Sequence, residues 1–220
     1  MSDELVERFR TIPPATIGHL LAEGFMDTAL RPIFGPISVA GRAVTVRMPR
    51  GDSALTRPAI RALQPGNVLV IAQGGDTQVA NWGEMTSLGA KMRGAAGVIL
   101  DGSVTDVVEI RQQGMPTFAR AISARVGRRL GLPGGAINEP VECGGVLVRP
   151  GDLVLADDNG IVVMSPQVAE EIYSAARKAE DRSPLVRQWL QKGGDLAEVS
   201  GKDPVELEAM LRKWCRPELR

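Results

Sequence analysis

The chain has 220 residues, 44% of them hydrophobic, and its 26 basic residues balance its 26 acidic residues. This size fits one sizeable hydrophobic core with a helical tail. The balanced charge removes the general electrostatic case for nucleic acid or an anionic membrane as partner, because both attract a surplus of basic residues. We therefore expect a small-molecule ligand, or another copy of the chain, as partner.

Cysteine usage and the lack of long apolar runs predict the cellular compartment. Cys143 and Cys215 do not have the spacing of metal ligands, and so few cysteines argue for a reduced setting. The charged N-terminus lacks the apolar core of a signal peptide, and no run approaches the roughly 20 apolar residues of a membrane span. We expect a soluble, cytoplasmic protein.

Strands alternate with helices in the first half of the chain. Val44, Val46 and Met48 alternate with polar residues, as in a half-buried strand, whereas other strands are continuous apolar runs. Such alternation of strands with helices gives parallel crossovers. The predicted elements are helices at 2–10, 16–22 and 58–63, strands at 38–48, 68–72, 98–100 and 115–118, and a helix that begins after Gly83.

The pattern changes after Ala121. A glycine-rich segment at 126–137 precedes short strands at 146–148, 153–155 and 161–164, whose Pro-Gly and Asn-Gly turns are typical of antiparallel sheets. A long charged helix then runs to about Lys192, and a last helix begins at Asp203-Pro204. We predict an α/β fold with layered β/β/α architecture and both parallel and antiparallel strands over residues 1–166, followed by a C-terminal helical tail over residues 167–220.

The segment from Gly83 to Asp106 carries the densest set of candidate functional groups. Gly83 allows close backbone approach before a helix whose free N–H groups attract an anion, and Glu84 lies at that helix end. A buried strand follows, Asp101-Gly102 is predicted to turn the chain, and Asp106 opens the next helix. Ligands of open α/β sheets bind at such strand ends. Two carboxylates beside a helix N-terminus suit a hard divalent cation and an anionic substrate.

Five motifs follow one another in an order and spacing that together are specific. They are Pro14-Ala15-Thr16, the strand Gly41–Val46, the strand Gly66–Val70, the Gly83 segment, and the strand and turn Pro150–Gly160. In these motifs the chain resembles the divalent-metal pyruvate aldolases that act on 4-hydroxy-4-methyl-2-oxoglutarate and 4-carboxy-4-hydroxy-2-oxoadipate. The same fold family includes the regulator of ribonuclease activity A. The resemblance, which extends to about residue 180, implies a swivelling-type β/β/α domain and a homotrimer or homohexamer.

The resemblance also implies a site and a reaction. Asp106 and water molecules steadied by Glu84 would hold Mg²⁺ or Mn²⁺, and the cation would stabilise the enolate that forms when a C–C bond of a 2-oxo acid breaks. A metal-bound water is the expected base, and oxaloacetate decarboxylation would use the same chemistry. Glu180 stands where some family members supply an acid from the adjacent subunit, although a solvated helix face also explains it. The predicted substrate-binding residues are Gly83, Glu84, Met85, Thr86, Ser87 and Thr105.

One departure from the family pattern affects the reaction. The aldolases carry Asp-Gly-x-x-Arg-Asp, in which the Arg holds the substrate, whereas residues 101–106 read Asp-Gly-Ser-Val-Thr-Asp. Thr105, at the position of that catalytic Arg, offers neither a cation nor a bidentate fork. Three interpretations follow: another arginine reaches the site, the substrate differs, or the protein is a non-catalytic regulator.

Structural explanations compete with the functional ones at several positions. Asp106 can cap its own helix, and Glu84 can be a first-turn carboxylate that the helix dipole favours. Trp82 can line the pocket or belong to the core, and His19 is better explained as a packed or surface imidazole. Gly74-Gly75-Asp76 is predicted to form a loop before the helix, but it fits neither the dinucleotide-binding fingerprint nor the P-loop, so nucleotide binding is not expected.

Overall fold

The computed structural model describes residues 3–214, so Ser2 and Cys215 lie outside the described residues. Contacts divide the chain into two compact units, one up to Glu170 and one from Glu171. The elements of the first unit are α1 (Asp3–Phe9), α2 (Pro14–Ile17), β1 (Arg31–Pro32), β2 (Ser38–Arg47), α3 (Thr56–Ala62), β3 (Asn67–Trp82), α4 (Glu84–Met92), β4 (Gly97–Val104), α5 (Val107–Gln113), β5 (Thr117–Ile122), β6 (Ala136–Ile137), β7 (Val141–Cys143), β8 (Val146–Val148), β9 (Leu153–Asp157), β10 (Gly160–Met164) and the start of α6 (Pro166–Gln191).

One mixed sheet organises the first unit. Its strand order is β1-β5-β4-β3-β2-β9-β10, with β6 also pairing with β2. The pairs among β2, β3, β4 and β5 are parallel, whereas β9 and β10 form an antiparallel hairpin beside β2. The four parallel strands end at the same edge of the sheet, and this edge carries the predicted site.

Two apolar layers cover the two faces of this sheet, because successive side chains of a strand point to opposite faces. On β2, for example, Ala43 belongs to one cluster and Val44 to the other. The Ala43 face packs against the β7–β8 hairpin, and the Val44 face packs against α3, α4 and α5. Each fully buried Val, Leu or Ile contributes roughly 1.5–3 kcal/mol. The predicted layered α/β fold with a helical C-terminus is confirmed.

Some predicted boundaries were wrong. Asp101 and Gly102 do not turn the chain, because β4 continues through them to Val104. Likewise β3 runs through the predicted Gly74-Gly75-Asp76 loop to Trp82, with shifts of register against β4 that absorb the extra residues. The second helix ends at Ile17 instead of Ala22, which leaves His19 exposed in the turn that follows.

The second unit consists of helices. It contains α6 from residue 171 onward, a short 3-10 helix (Ala197–Val199) and α7 (Pro204–Trp214). Trp189 packs with Val199, Leu207 and Leu211, and the rings of Trp189 and Trp214 meet edge to face at 4.8 Å. No helix within residues 3–214 combines the length and apolarity that a membrane span requires.

Candidate active site

A cavity of about 500 Å³ lies at the carboxyl ends of β3 and β4. The first turn of α4 forms one wall, and a loop that follows β5 contributes another. The lining residues are Ser53, Thr56, Arg57, Ala80, Asn81, Trp82, Gly83, Glu84, Met85, Thr86, Thr105, Asp106, Val126, Gly127, Arg128 and Arg129. All the predicted substrate-binding residues except Ser87, and the predicted metal ligand Asp106, therefore meet at one cavity.

Gly83 and Asp106 are in contact, and this contact explains the glycine. A Cβ atom at Gly83 would clash with Oδ2 of Asp106 and would lie 2.8 Å from Cγ2 of Thr105. The adjacent strand ends are also joined through the backbone, since the amide of Thr105 donates to the carbonyl of Trp82 at 2.9 Å. The two ends of the Gly83–Asp106 segment are thus held together by hydrogen bonds and close packing.

The Asp106 carboxylate serves the neighbouring helix instead of its own. Its Oδ2 accepts a hydrogen bond from the amide of Glu84 at 2.9 Å, and its Oδ1 accepts one from the hydroxyl of Thr105 at 3.2 Å. Asp106 precedes α5 but makes no side-chain cap there, so the capping explanation is wrong. Its φ of 54° is left-handed, a conformation that Asp tolerates better than most residues. This geometry turns the exposed carboxylate toward the mouth of α4.

The first turn of α4 leaves two amides for a ligand. The amide of Gly83 donates to Oγ1 of Thr86 at 2.9 Å, and the amide of Ser87 donates to the carbonyl of Gly83 at 3.0 Å. Within the described residues, the amides of Met85 and Thr86 have no acceptor. Unpaired amides at a helix N-terminus favour an anion. Of the backbone amides at this helix end, those of Met85 and Thr86 are therefore the candidates for binding a substrate carboxylate.

Ser87 lies behind the cavity and supports its wall. Its side chain is fully buried, and its Oγ accepts a hydrogen bond of 2.6 Å from Nε1 of Trp82. Trp82 is itself 1% exposed yet lines the cavity. The indole of Trp82 therefore belongs to the core and also forms part of the pocket, so both of the alternatives considered for this residue hold.

Two carboxylates face this cavity, those of Glu84 and Asp106. Within residues 3–214 no three His, Cys, Asp or Glu side chains form a group that could hold a metal ion. This donor set still fits Mg²⁺, which keeps several waters and binds proteins through one or two carboxylates. Asp106 would be the direct ligand, and Glu84, whose side chain has no protein partner among the described residues, would hold the waters.

Three arginines that the sequence analysis did not select also line the cavity. They are Arg57 in α3 and the adjacent pair Arg128 and Arg129 in the glycine-rich segment. Within the described part of the chain, none of them pairs with an acidic side chain. The only signal in the sequence was two consecutive arginines among glycines, because the long-range contact that brings them to the site has no periodicity of its own.

Glu180 belongs to the second compact unit, on α6. It contributes to raising the pKa of Arg177 there, behind the larger contribution of the Asp181 side chain. Its suggested role in a neighbouring subunit's site stays a prediction.

A family model described as RraA-like (Aldolase/RraA) matches residues 16–163. The chain belongs to this family. A Halalkalibacterium halodurans protein named "Putative 4-hydroxy-4-methyl-2-oxoglutarate aldolase" is 32% identical over 202 residues, which are 86% of this chain and 95% of that protein. An uncharacterized protein of Methanocaldococcus jannaschii is 35% identical over 162 residues, which cover 73% of this chain and 77% of the relative.

A solved structure agrees with the RraA-like assignment. The crystal structure of Streptomyces coelicolor RraAS2 is described as an unusual member of the RNase ES inhibitor RraA protein family. It matches with a TM-score of 0.74 and 30% identity, covering 85% of this chain and 97% of that chain. The family resemblance that the sequence motifs indicated is therefore confirmed. The name of one relative refers to an aldolase, and the description of the other refers to an RNase inhibitor family.

Proposed function

We propose that the protein is a divalent-metal-dependent lyase that cleaves a 2-oxo acid by a retro-aldol reaction and releases pyruvate. The observation that carries this proposal is the placement of the Asp106 carboxylate against the first turn of α4, in a cavity that also contains Glu84. A ligand for a cation then lies next to a helix end that can bind a carboxylate. A 2-oxo acid needs both groups when its carboxylate and keto oxygens chelate a metal ion.

Substrate binding follows from the unpaired groups. The amides of Met85 and Thr86 bind the carboxylate of the 2-oxo acid, and Asp106 with Thr105 borders its keto oxygen. A bound Mg²⁺ or Mn²⁺ would supply the Lewis acid that stabilises negative charge on that oxygen. The buried Trp82, fixed by Ser87, gives this end of the cavity a rigid wall.

We assign the proton transfers to Glu84 in place of the metal-bound water that the family resemblance implies. Both oxygens of Asp106 already accept protein hydrogen bonds, whereas the Glu84 side chain has none among the described residues. In the retro-aldol step, Glu84 takes the proton of the C4 hydroxyl, directly or through water, a C4=O double bond forms as the C3–C4 bond breaks, and the C4 fragment leaves as a carbonyl compound. The bonding electrons pass into the 2-oxo group to form an enolate, which a proton returned to C3 converts to pyruvate.

A non-catalytic regulator is the second candidate, for two specific reasons. The relative RraAS2 is described as a member of an RNase inhibitor family, and Thr105 stands where the aldolases have their substrate-binding Arg. The lack of an acidic surplus speaks against this candidate, because a regulator that docks on a basic partner needs one.

Pyruvate release measured on 4-hydroxy-4-methyl-2-oxoglutarate and on oxaloacetate, with Mg²⁺ and with excess chelator, tests the proposal. We expect Mg²⁺-dependent turnover of at least one substrate and none after chelation. Glu84→Gln serves as the matched catalytic knockout, since it keeps the size of the side chain. A wild-type protein that turns over neither substrate, yet inhibits an RNA-processing ribonuclease, would overturn the lyase proposal in favour of the regulator.

A homotrimer or homohexamer is part of the same proposal. The outer side of α4 exposes Met85 by 66%, Leu88 by 40% and Met92 by 77%, and such an apolar face suits burial against another copy of the chain. Light scattering at micromolar concentration measures the assembly directly, and a monomeric mass would contradict it.

A further inference from the structure

The cavity carries more positive charge than the 2-oxo end of a substrate needs. Arg57, Arg128 and Arg129 line it together with only two carboxylates, those of Glu84 and Asp106. A divalent cation at Asp106 would enlarge this surplus. A 2-oxo acid with a single carboxylate would leave most of that charge uncompensated, so the cavity suits a ligand with more than one anionic group.

The loop that brings two of these arginines to the cavity is firmly anchored. Asp52 is 2% exposed, and its carboxylate accepts hydrogen bonds from the amides of Ala54, Leu130 and Leu132 at 2.8, 2.9 and 2.7 Å. Burial raises the pKa of Asp52, but these amide hydrogen bonds outweigh it and hold the pKa below its usual value. Asp52 is therefore ionised at neutral pH and fixes the loop.

The backbone of Arg128 is fixed as well. Its amide donates to the carbonyl of Gly51 at 3.1 Å, and its carbonyl accepts from the amide of Ser53 at 2.9 Å. One residue earlier, the amide of Gly127 donates to the carbonyl of Ala80 at 2.8 Å. The main chain at these arginines is thus held on both sides, which lowers the entropic cost of presenting their guanidinium groups to a ligand.

Asn81 connects this wall of the cavity to the residues that anchor the loop. Asn81 lines the cavity and is 5% exposed, and its Nδ2 donates to the carbonyl of Asp52 at 3.0 Å. Its Oδ1 is buried without a hydrogen-bond donor among the described residues. Gly127 is required beside it, because a Cβ atom there would clash with this oxygen. Asn81 thus links the end of β3 to the Asp52 turn, and the lack of a side chain at Gly127 lets the arginine loop approach this strand.

We propose that Arg128 and Arg129, with Arg57, form the specificity wall that binds a second carboxylate of the substrate, at the end distant from its 2-oxo group. These arginines supply the guanidinium that Thr105 lacks, from a loop instead of from the end of β4. 4-Hydroxy-4-methyl-2-oxoglutarate already carries such a second carboxylate, and we infer that these arginines are the residues that bind it. This inference rests on the proposed lyase function, because that function places the 2-oxo end at Asp106.

The test compares two ligands of equal length that cannot undergo the cleavage. 2-Oxoglutarate has the distal carboxylate, whereas 2-oxopentanoate ends in a methyl group, and neither has a 4-hydroxyl group. By calorimetry with saturating Mg²⁺, we expect wild-type protein to bind 2-oxoglutarate about 10- to 100-fold more tightly than 2-oxopentanoate, the range typical of hydrogen bonds to charged groups. Arg128→Ala combined with Arg129→Ala should abolish most of this preference and leave 2-oxopentanoate binding little changed.

Three further variants sharpen the comparison. Arg125→Ala is the matched control, because Arg125 is an exposed arginine of the same segment that does not line the cavity. Replacing Arg128 and Arg129 by lysine should keep part of the preference, since lysine retains the charge without the planar fork. Arg57→Ala measures the contribution of α3. Thermal unfolding of each variant checks the fold, which we expect to be unaffected because these side chains make no ion pairs in the described structure.

The outcomes separate this inference from the proposed function. If wild-type protein binds both 2-oxo acids and the double alanine variant keeps the preference, the arginine wall is wrong and the lyase proposal stands. Equal binding of the two ligands by the wild-type protein overturns the wall in the same way. If neither ligand binds with Mg²⁺ present, the lyase proposal fails, and the inference fails with it.

Discussion

Replacing Asp106 by asparagine and by alanine separates its structural role from its metal-binding role. The carboxylate accepts the amide of Glu84 at 2.9 Å and the hydroxyl of Thr105 at 3.2 Å, from a backbone with φ of 54°. Asparagine tolerates this left-handed conformation, and its Oδ1 can still accept the Glu84 amide. Alanine does neither.

The expected stabilities follow from these contacts. Asp106→Ala removes the hydrogen bond to the first turn of α4, which lowers the free energy of unfolding by about 1 kcal/mol. Alanine in the left-handed region lowers it by about another 1 kcal/mol, because alanine has no side-chain hydrogen bond to support that conformation. For a chain of this length, a loss of about 2 kcal/mol lowers the Tm by roughly 4–8 °C. Asp106→Asn keeps most of the cap and should lose less than about 1 kcal/mol.

The two variants should nevertheless behave alike toward metal. Both lack the charged oxygen ligand, so we expect Mg²⁺ or Mn²⁺ affinity to fall about 10-fold or more in each. Calorimetric titration with MnCl₂, alongside thermal unfolding of the same samples, measures both quantities. Wild-type metal affinity in Asp106→Asn would refute the assignment of Asp106 as the ligand, whatever its effect on stability.

Three further predictions use single substitutions. Gly83→Ala should lower the free energy of unfolding by about 1–3 kcal/mol and weaken Mn²⁺ binding, because the added Cβ displaces Asp106. Gly89→Ala is the control and should not destabilise the protein, because its Cβ would lie 3.6 Å from Ile60. Equal losses of Tm in the two variants would contradict the steric argument. Glu84→Gln should lower kcat by about 10²- to 10⁴-fold in the pyruvate-release assay, with most of the Mn²⁺ affinity retained because the amide oxygen of glutamine can still accept from the waters of the metal. An unchanged kcat would exclude Glu84 as the base. The pKa of Asp52 in the folded protein lies below its usual value of 3.8, so the ionised carboxylate stabilises the fold at pH values above 3.8. This contribution is lost as the pH falls below 3.8. In urea titrations at acid pH, the difference in stability between wild type and Asp52→Asn should therefore become smaller.

The local part of the site was accessible from the sequence. Gly83 and Asp106 flank one helix–strand unit, so the rule that parallel strands end at one edge is enough to bring them together. The sequence also predicted the helix that begins after Gly83, because a small residue preceded a run with helical periodicity. What it could not supply was the direction of the Asp106 side chain, which depends on the left-handed backbone at that residue.

The predicted turn at Asp101-Gly102 was wrong because the charge of Asp101 is buried and paired within the fold. Asp101-Gly102 has the composition of a turn, yet Asp101 lies inside β4 and is 5% exposed. Its carboxylate forms an ion pair with Arg120, which also contacts Asp27 at 2.7 Å, and accepts the amide of Gly144 at 3.2 Å. A buried aspartate is tolerated only with such partners, and the two partners of Asp101 come from distant parts of the chain. Local composition therefore favoured a turn where tertiary pairing gives a strand.

The proposed arginine wall places the cation on a loop, whereas the aldolases carry an arginine at the position of Thr105. Thr105 directly follows β4, an element of the scaffold, whereas Arg128 and Arg129 belong to a loop that Asp52 anchors. Either position can supply positive charge to the cavity. The attraction of an anion depends on its distance from the guanidinium group and not on which secondary-structure element carries that group. A loop can change its residues with little effect on the core, which makes it the more adaptable source. Moving the cation from strand end to loop would preserve an anion-binding cavity while allowing the position of the bound carboxylate, and hence the preferred substrate, to change.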